Sequence, residues 1–373
     1  MKILELTNTD FAMRHFLAPL LREGRARGHE MVGACADGPL LEPLRAEGFR
    51  ILPLPLARRA SMSAQLEGFR ALTRMMRAER FDLVHAHMPL SGFLGRIAAR
   101  AVGVPVIAYT CHGYLFNQPS PLPRRAASFA MEWMAGRVTD LYLTVSDEEA
   151  ADAQRLWINR HAMAISNGRN PAKFHPDPAA RARIRASLGV PEDRVVIIIV
   201  SRLVRHKGHP ELLAAMESVP DAELWVVGER LASDHGEDLD PYFARSTLGP
   251  RLRRLGYRED TAALLAAADI FALPSHFEGL PMSVIEAMLT GLPVIGTEIR
   301  GPREQVVDQA TGFLVPPRAV EPLAAALRDL VADAGLRARL GEAGRARARE
   351  RFDEAKIIGR TFDLLERARR GRA

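Results

Sequence analysis

Cysteine is nearly absent from the chain: Cys35 and Cys111 are its two, and they have no metal-ligand spacing. A reduced, cytoplasmic protein is the simplest expectation. No run of about 18 uncharged apolar residues occurs, which excludes a membrane-spanning helix. The opening Met1-Lys2-Ile3-Leu4-Glu5-Leu6 carries an acid inside its apolar run and no cleavage-site pattern, so it reads as a first strand rather than a signal peptide. A Gly-rich Walker A spacing is missing, as is any motif for reading nucleic acid. Arginine greatly outnumbers lysine, but the arginines are scattered along helices among acids. The net charge of +6 therefore reads as solvated helix faces, and no nucleic-acid partner is expected. An apolar fraction of 47% and a charged fraction of 26% suit a soluble globular chain, and 373 residues suit two domains.

What is present is alternation. Expected strands are Lys2–Leu6, Met31–Ala36, Arg50–Pro53, Leu83–His85, Val106–Thr110 and Leu141–Val145. Expected helices between them are Phe11–Arg27, Gly38–Glu47, Ser63–Glu79, Ser91–Arg100, Pro123–Arg137 and Asp147–Trp157. Such alternation predicts an α/β fold with a mostly parallel sheet, whose ligands gather outside the carboxyl ends of the strands. His87, Cys111, His112, Gly113 and Ser146 follow strands and so stand on that side. Asn167-Gly168-Arg169-Asn170-Pro171 is strong turn chemistry that no apolar period crosses, and it marks the boundary between domains 1–170 and 171–352.

After a Pro- and Ala-rich stretch, Phe174–Ala182, a second series begins. Its expected strands are the β-branched Val195–Val200, then Glu223–Val227, Arg251–Leu255, Ile270–Leu273, Pro293–Gly296 and Gly312–Val315. Pro210–Met216, Tyr242–Leu248, Ala262–Ala267, Ser283–Leu289, Gly301–Asp308 and Val320–Val331 read as helices. The tail, 353–373, is one expected helix anchored by Ile357, Ile358, Phe362, Leu364 and Leu365, available to cross back onto the first domain.

Two stretches of the second series carry chemistry. Ser201-Arg202-Leu203-Val204-Arg205-His206-Lys207-Gly208 puts several cations straight after a strand, with a helix starting beyond Gly208. A diphosphate needs such a set: arginine forks, a mobile lysine charge and helix N–H groups. The same loop also reads as a solvated patch of positive charge. Ser275–Thr297 reads as polar loop, helix and strand, with Glu278 on the loop, Glu286 on the helix and N–H groups at Gly279, Leu280 and Met282 facing an anion. Carboxylates accept from vicinal sugar hydroxyls; they also form hydrolase acid/base pairs, although cations nearby favour a phosphate leaving group. Gly228 ends a strand where a ligand can approach the backbone, or where a turn is tight. Tyr257 and Arg258 lie on a strand-end loop suited to a base.

Together these pieces resemble the retaining glycosyltransferases of family 4. The matching residues are Ser201-Arg202-Leu203, Lys207-Gly208, Val227-Gly228, Gly256-Tyr257, Ala268-Asp269-Ile270, Leu273-Pro274-Ser275, Glu278 to Glu286 with Gly279-Leu280-Pro281, and Gly312-Phe313-Leu314-Val315. In the first domain they are Gly28-His29-Glu30, His85-Ala86-His87, His112-Gly113 and Ser166-Asn167-Gly168. The resemblance spans essentially the whole chain. It implies the GT-B fold: two Rossmann-like doubly wound domains facing across a cleft, acceptor on the first and nucleotide sugar on the second.

The resemblance further implies that Arg202 and Lys207 bind the donor diphosphate and stabilise its leaving charge. Glu286 would hold the ribose, Glu278 a donor-sugar hydroxyl beside Gly279, Leu280 and Pro281, and Tyr257 with Arg258 the base. Gly228 would border the nucleotide, and His112 would meet the sugar from the first domain. His112, Arg202, Lys207 and Glu278 are thus the expected catalytic set. No cofactor or metal is expected, the nucleotide sugar being a co-substrate. The implied reaction moves a hexose or N-acetylhexosamine, from UDP in preference to GDP, to a lipid-linked or polysaccharide acceptor at the cytoplasmic face of the membrane. A GT-B epimerase, a phosphorylase or a non-catalytic nucleotide-sugar binder are the alternatives.

Two departures stand out. The family's Gly-Gly turn is replaced by Thr7-Asn8-Thr9-Asp10-Phe11, and Arg169-Asn170 replaces the usual residues after Asn-Gly, with a structural effect expected. Arg124, Arg125 and Arg137 flank Phe129, Met131, Trp133 and Met134, a pattern that suits either peripheral contact with an anionic membrane or an ordinary core helix with a basic rim. Arg58, Arg59, Arg70, Arg74 and Arg77 would add to that face.

Overall fold

The computed structural model describes residues 1–55, 62–230, 234 and 236–371. They form two compact units: Met1–Ser166 with Ala355–Ala373, and Asn167–Glu354. Each is a Rossmann-like α/β domain built on one parallel sheet. The first sheet holds β1 (Lys2–Leu6), β2 (Glu30–Cys35), β3 (Arg50–Pro53), β4 (Leu83–His87), β5 (Val106–Cys111), β6 (Leu141–Thr144) and β7 (Met163–Ala164). Their order is β3-β2-β1-β4-β5-β6-β7, so the chain reverses direction across the sheet between β1 and β4. The second holds β8 (Val195–Val200), β9 (Ala222–Val227), β10 (Leu252–Gly256), β11 (Ile270–Leu273), β12 (Val294–Thr297) and β13 (Gly312–Val315). Their order is β10-β9-β8-β11-β12-β13, with the reversal between β8 and β11.

The expected helix Phe11–Arg27 is three pieces: Asp10–Ala12, a wider π-helical turn over Met13–Leu17, and Ala18–Ala26. Pro19 explains the wide turn, since its ring and missing N–H are incompatible with an unbroken α-helical ladder. Thr9 caps the start, its Oγ1 accepting from Ala12 N at 3.2 Å.

Two helices went unseen in the sequence. Pro178–Leu188 lies where a Pro- and Ala-rich stretch was expected; Asp177 caps it, and Gly189 closes it at φ 64°. Ala334–Arg351 spans 18 residues, and its buried face is Leu340, Gly341, Gly344 and Ala348. Small residues there let it press on the turn after Thr290: a Cβ on Gly341 would lie 2.1 Å from the Gly291 carbonyl oxygen. A face of glycine and alanine gives no apolar period to read. The expected helix Gly301–Asp308 is only Pro302–Gln305.

The last helix, Glu354–Arg370, belongs to the first unit apart from its first residue. Phe362 and Leu365 are fully buried among Ile3, Met13, Leu17 and Leu21. Arg27 Nη1 reaches Asp363 at 2.8 Å and His29 Nε2 reaches Glu366 at 3.2 Å. No described helix is long and apolar enough to cross a membrane.

Candidate functional site

In the second unit, the loops leaving β8 and β11 are locked together at the point where strand order reverses. Gly208, at φ 79°, sits so close to Pro274 that a Cβ would lie 2.0 Å from its carbonyl oxygen. His276 N donates to the His206 carbonyl at 2.7 Å, and the His206 ring stacks on Phe277 at 4.3 Å. This brings Lys207 and Glu278 into contact: Nζ lies 2.6 Å from Oε1, which also accepts from Ser275 Oγ at 2.7 Å.

Three carbonyls around this loop are held by side chains. Ser275 O accepts from Thr297 Oγ1 at 2.6 Å, Leu280 O from Asn167 Nδ2 at 2.8 Å, and Pro281 O from Gln305 Nε2 at 2.9 Å. Gly301 must be glycine for the same reason, since a Cβ there would lie 1.8 Å from the Gly279 oxygen. The N–H groups of Gly279 and Leu280 donate to no protein acceptor among the described residues. They lead into the Met282–Thr290 helix, whose N-terminus favours an anion.

The other expected residues have partners of their own. Glu286 is buried and accepts from Arg169 Nε at 2.6 Å; burial raises its pKa and the Arg169 charge opposes that rise. The departure at Arg169 is thus a structural partner for a site glutamate. Arg202, half-exposed, pairs with Asp234. Arg205 forks onto Glu211 at 2.7 and 2.8 Å. Gly228, at φ 123°, lets β9 pass the Ser201 carbonyl, which a Cβ would meet at 2.1 Å. Arg258 grips Asp260 at 2.7 and 2.6 Å, and Tyr257 is exposed beside it. Buried His209 holds Ser201 Oγ at 3.0 Å and the Arg202 carbonyl at 3.1 Å; burial lowers its pKa to about 4. The sequence reading gave no role to Ser275, His209 or Gln305: Ser275 stood there as part of the Leu273-Pro274-Ser275 match, and His209 and Gln305 carry no signal beyond their places at helix ends.

The first unit gathers a different set around its own reversal point. His112 follows β5, and its Nε2 lies 3.2 Å from His87 Nδ1 on β4. His87 Nε2 lies 2.8 Å from Glu5 Oε2 on β1. Glu5 Oε1 also lies 3.2 Å from His85 Nδ1, whose Nε2 meets Thr110 Oγ1 at 2.8 Å. Burial alone would push the Glu5 carboxyl up, but the His85 and His87 imidazoles bring it down to about 2. Burial and the neighbouring rings lower His87 to about 4 and His112 to about 3. Glu5 and its role were missed, although an acid in an apolar strand beside a His-x-His strand is a readable signal.

Among the described residues, Glu5, His85 and His87 are the group whose ligand atoms lie within metal-binding range, all inside 4.8 Å. Zinc ligands at about 2.0 Å from the ion sit roughly 3.3 Å apart. The Glu5–His87 contact at 2.8 Å is shorter and is a direct hydrogen bond. An Asp-x-Asp sequence that the sequence reading overlooked, Asp238-Leu239-Asp240, pairs with arginines instead: Asp238 with Arg230 at 3.8 Å and Asp240 with Arg254 at 2.7 Å.

On the surface of the first unit, Leu122, Trp133 and Met134 are exposed, and Arg137 covers the Trp133 ring at 4.1 Å. Phe129 instead packs inward against Phe116, with ring centroids 5.5 Å apart. Arg70, Arg74 and Arg77 are exposed, while Arg58 and Arg59 lie outside the described residues, as does Arg372 at the end of the tail.

Residues 180–347 match the family model for glycosyl transferases group 1, and residues 12–168 match that for a glycosyl transferase 4-like domain. The chain is 30% identical over 292 residues to the UDP-Gal:alpha-D-GlcNAc-diphosphoundecaprenol alpha-1,3-galactosyltransferase of Escherichia coli, covering 75% of this chain and 74% of that one. It is 28% identical to the putative glycosyltransferase EpsD of Bacillus subtilis, covering 97% and 96%. Among solved structures it is similar to Anabaena HepE in complex with UDP, with a TM-score of 0.82 and 24% identity over 98% of this chain and all (100%) of that one.

Proposed function

The chain belongs to the glycosyl transferases group 1 family, and on that premise we propose that it transfers a hexose or N-acetylhexosamine from a UDP-sugar to a lipid-linked or polysaccharide acceptor, retaining the anomeric configuration and needing no metal. The observation that carries this reading is the Lys207–Glu278 contact at 2.6 Å. It puts a cation that can take the departing diphosphate next to a carboxylate that can take a sugar hydroxyl. The N–H groups of Gly279 and Leu280 complete the phosphate site, with Arg202 as a second cation. Glu286 takes the ribose hydroxyls, Tyr257 and Arg258 border the base, and His112 is the first unit's residue for a sugar hydroxyl.

UDP is favoured because the Escherichia coli relative is named for UDP-Gal and HepE was solved with UDP. A lipid-linked acceptor is favoured because that same relative is named for a diphosphoundecaprenol substrate. The exposed Leu122, Trp133 and Met134 beside Arg137 support peripheral contact with the cytoplasmic face of an anionic membrane.

A thermal-shift screen with UDP- and GDP-sugars tests the donor, because a ligand that binds only the folded state raises the melting temperature. UDP-sugars are expected to stabilise the protein and GDP-sugars to do so less. Lys207→Ala is expected to lower turnover of the donor so identified by about a hundredfold or more. Near-normal turnover in Lys207→Ala and Glu278→Ala would sink the assignment.

A further inference from the structure

The polar group at the carboxyl end of the first sheet has more internal order than a sugar-contacting His112 requires. Glu5, His85 and His87 are buried, and Glu5 stands opposite His85 in the β1–β4 register. An ionised carboxylate only accepts hydrogen bonds, so the His87 nitrogen against it, Nε2, must carry a proton. A neutral imidazole has one N–H, which leaves His87 Nδ1 with a lone pair. That lone pair faces His112 Nε2 at 3.2 Å, and the contact is a hydrogen bond only if His112 Nε2 carries the proton. His112 Nδ1 is then the acceptor nitrogen, and no described group donates to it. Burial keeps His87 neutral, with its pKa lowered to about 4, so the sequence of donors runs one way. His85 braces the far side of Glu5 at 3.2 Å and is itself tied to Thr110 at 2.8 Å.

We propose that Glu5 and His87 are positioning residues that hold His112 as its Nε2–H tautomer and so present Nδ1 as an acceptor for a sugar hydroxyl. The role toward sugar rests on the function proposed above; the tautomer does not. Which nitrogen of a histidine carries the proton is set by the hydrogen bond the other one makes. Here that choice is passed from a carboxylate through one ring to the next. The first unit would thus recognise a neutral, hydroxylated group with a lone pair, where the second unit meets an anion with charge.

Long-range proton–nitrogen spectra of the full chain labelled with 15N-histidine read the tautomer directly. His112 is assigned by the signals lost in His112→Gln. A protonated Nε2 and an unprotonated Nδ1 are expected on His112, and the reverse pattern in the wild-type chain overturns the proposal whatever any variant does. His87→Leu is expected to release His112 into mixed tautomers. His87→Gln offers a carbonyl acceptor in the same place and is expected to restore Nε2–H.

Calorimetry with UDP, UDP-galactose and UDP-glucose adds the functional arm. In His87→Leu, the UDP-sugar that the wild type binds is expected to weaken by about tenfold, and UDP itself by less than about twofold. Equal weakening of UDP and UDP-sugar would mark a general structural loss and overturn the positioning role. If the wild type binds none of the three nucleotides, the proposed donor fails, and the spectrum still decides the relay.

Discussion

The two sheets reverse strand order in the same way but dress that point in opposite chemistry. In the first unit, Glu5, His85 and His87 are buried and satisfy one another. In the second, Lys207 and Glu278 are nearly buried, Arg202 and Arg205 are partly exposed, and every cation has an acid beside it. Parallel sheets offer a ligand crevice wherever strand order reverses, whatever residues stand there. What the residues add is selectivity. Cations that a phosphate can recruit from their acids suit an anion, whereas fixed, mostly neutral rings suit hydroxyls.

The largest expected effect tests how each unit holds its buried carboxylate. Glu5 has two imidazoles, while Glu286 has Arg169 at 2.6 Å. Arg169→Ala strands Glu286 in a buried place, where removing one partner of an ion pair costs about 3–5 kcal/mol. Hydrogen exchange followed by unit should show that loss in Asn167–Glu354 with the first unit unchanged. A loss below about 1 kcal/mol would make the pair no more than a surface contact and remove the contrast.

Acid should then separate the two carboxylates by sign. The Glu5 carboxyl is held down to about 2, below its ordinary 4.5. As pH falls from about 4.5 toward 2, the unfolded chain takes a proton that the folded first unit refuses, so that unit loses stability. Glu286 is shifted upward by burial. Its folded form keeps a proton that the unfolded chain has lost just above its ordinary 4.5, so Glu286 adds stability to the second unit as pH falls toward 4.5 from above. Each slope is at most about 1.4 kcal/mol per pH unit. Glu5→Gln should remove the first contribution, below about pH 4.5, and Glu286→Gln the second, above it; wild-type-minus-variant slopes of equal sign would refute the distinction. Above about pH 4.5 the variant is the control, because buried neutral His206 and His209 in the second unit, like His87 and His112 in the first, refuse a proton that the unfolded chain takes and so oppose the Glu286 slope.

The contrast was only half legible in the sequence. Lys207 and Glu278 were readable because a strand end followed by cations, and a loop followed by a helix, are local patterns. Both sheets were readable for the same reason, with β-branched runs such as Val195–Val200 marking buried strands. The relay was not, because Glu5 on β1, His87 on β4 and His112 just after β5 come from separate strands whose order only the folded sheet reveals. Glu5 was noticed as an oddity in an apolar run and used only to argue against a signal peptide. Arg169 was seen as a departure, but its partner lies 117 residues away. The helix Ala334–Arg351 escaped because close packing on Gly291 demands glycine and alanine where periodicity would need leucine.

The smallest effect is the finest test, since it removes one hydroxyl from each region. Thr110→Val keeps the shape of a β5 side chain and deletes the partner of His85 Nε2, 2.8 Å away. That nitrogen is fully buried, so the loss should approach the cost of an unsatisfied buried group, about 1–3 kcal/mol. Ser275→Ala deletes the 2.7 Å bond to Glu278 Oε1, but Lys207 still holds the same oxygen at 2.6 Å. Its cost in stability should therefore be about 1 kcal/mol or less. The consequence should appear in function instead, because Glu278 loses one of the two contacts that aim it. Urea melts of the two variants, beside UDP-sugar binding, would show stability falling in one and binding in the other. If Ser275→Ala proved the more destabilising, the second site would be the rigid one, and the division between fixed rings and recruitable charges would be wrong.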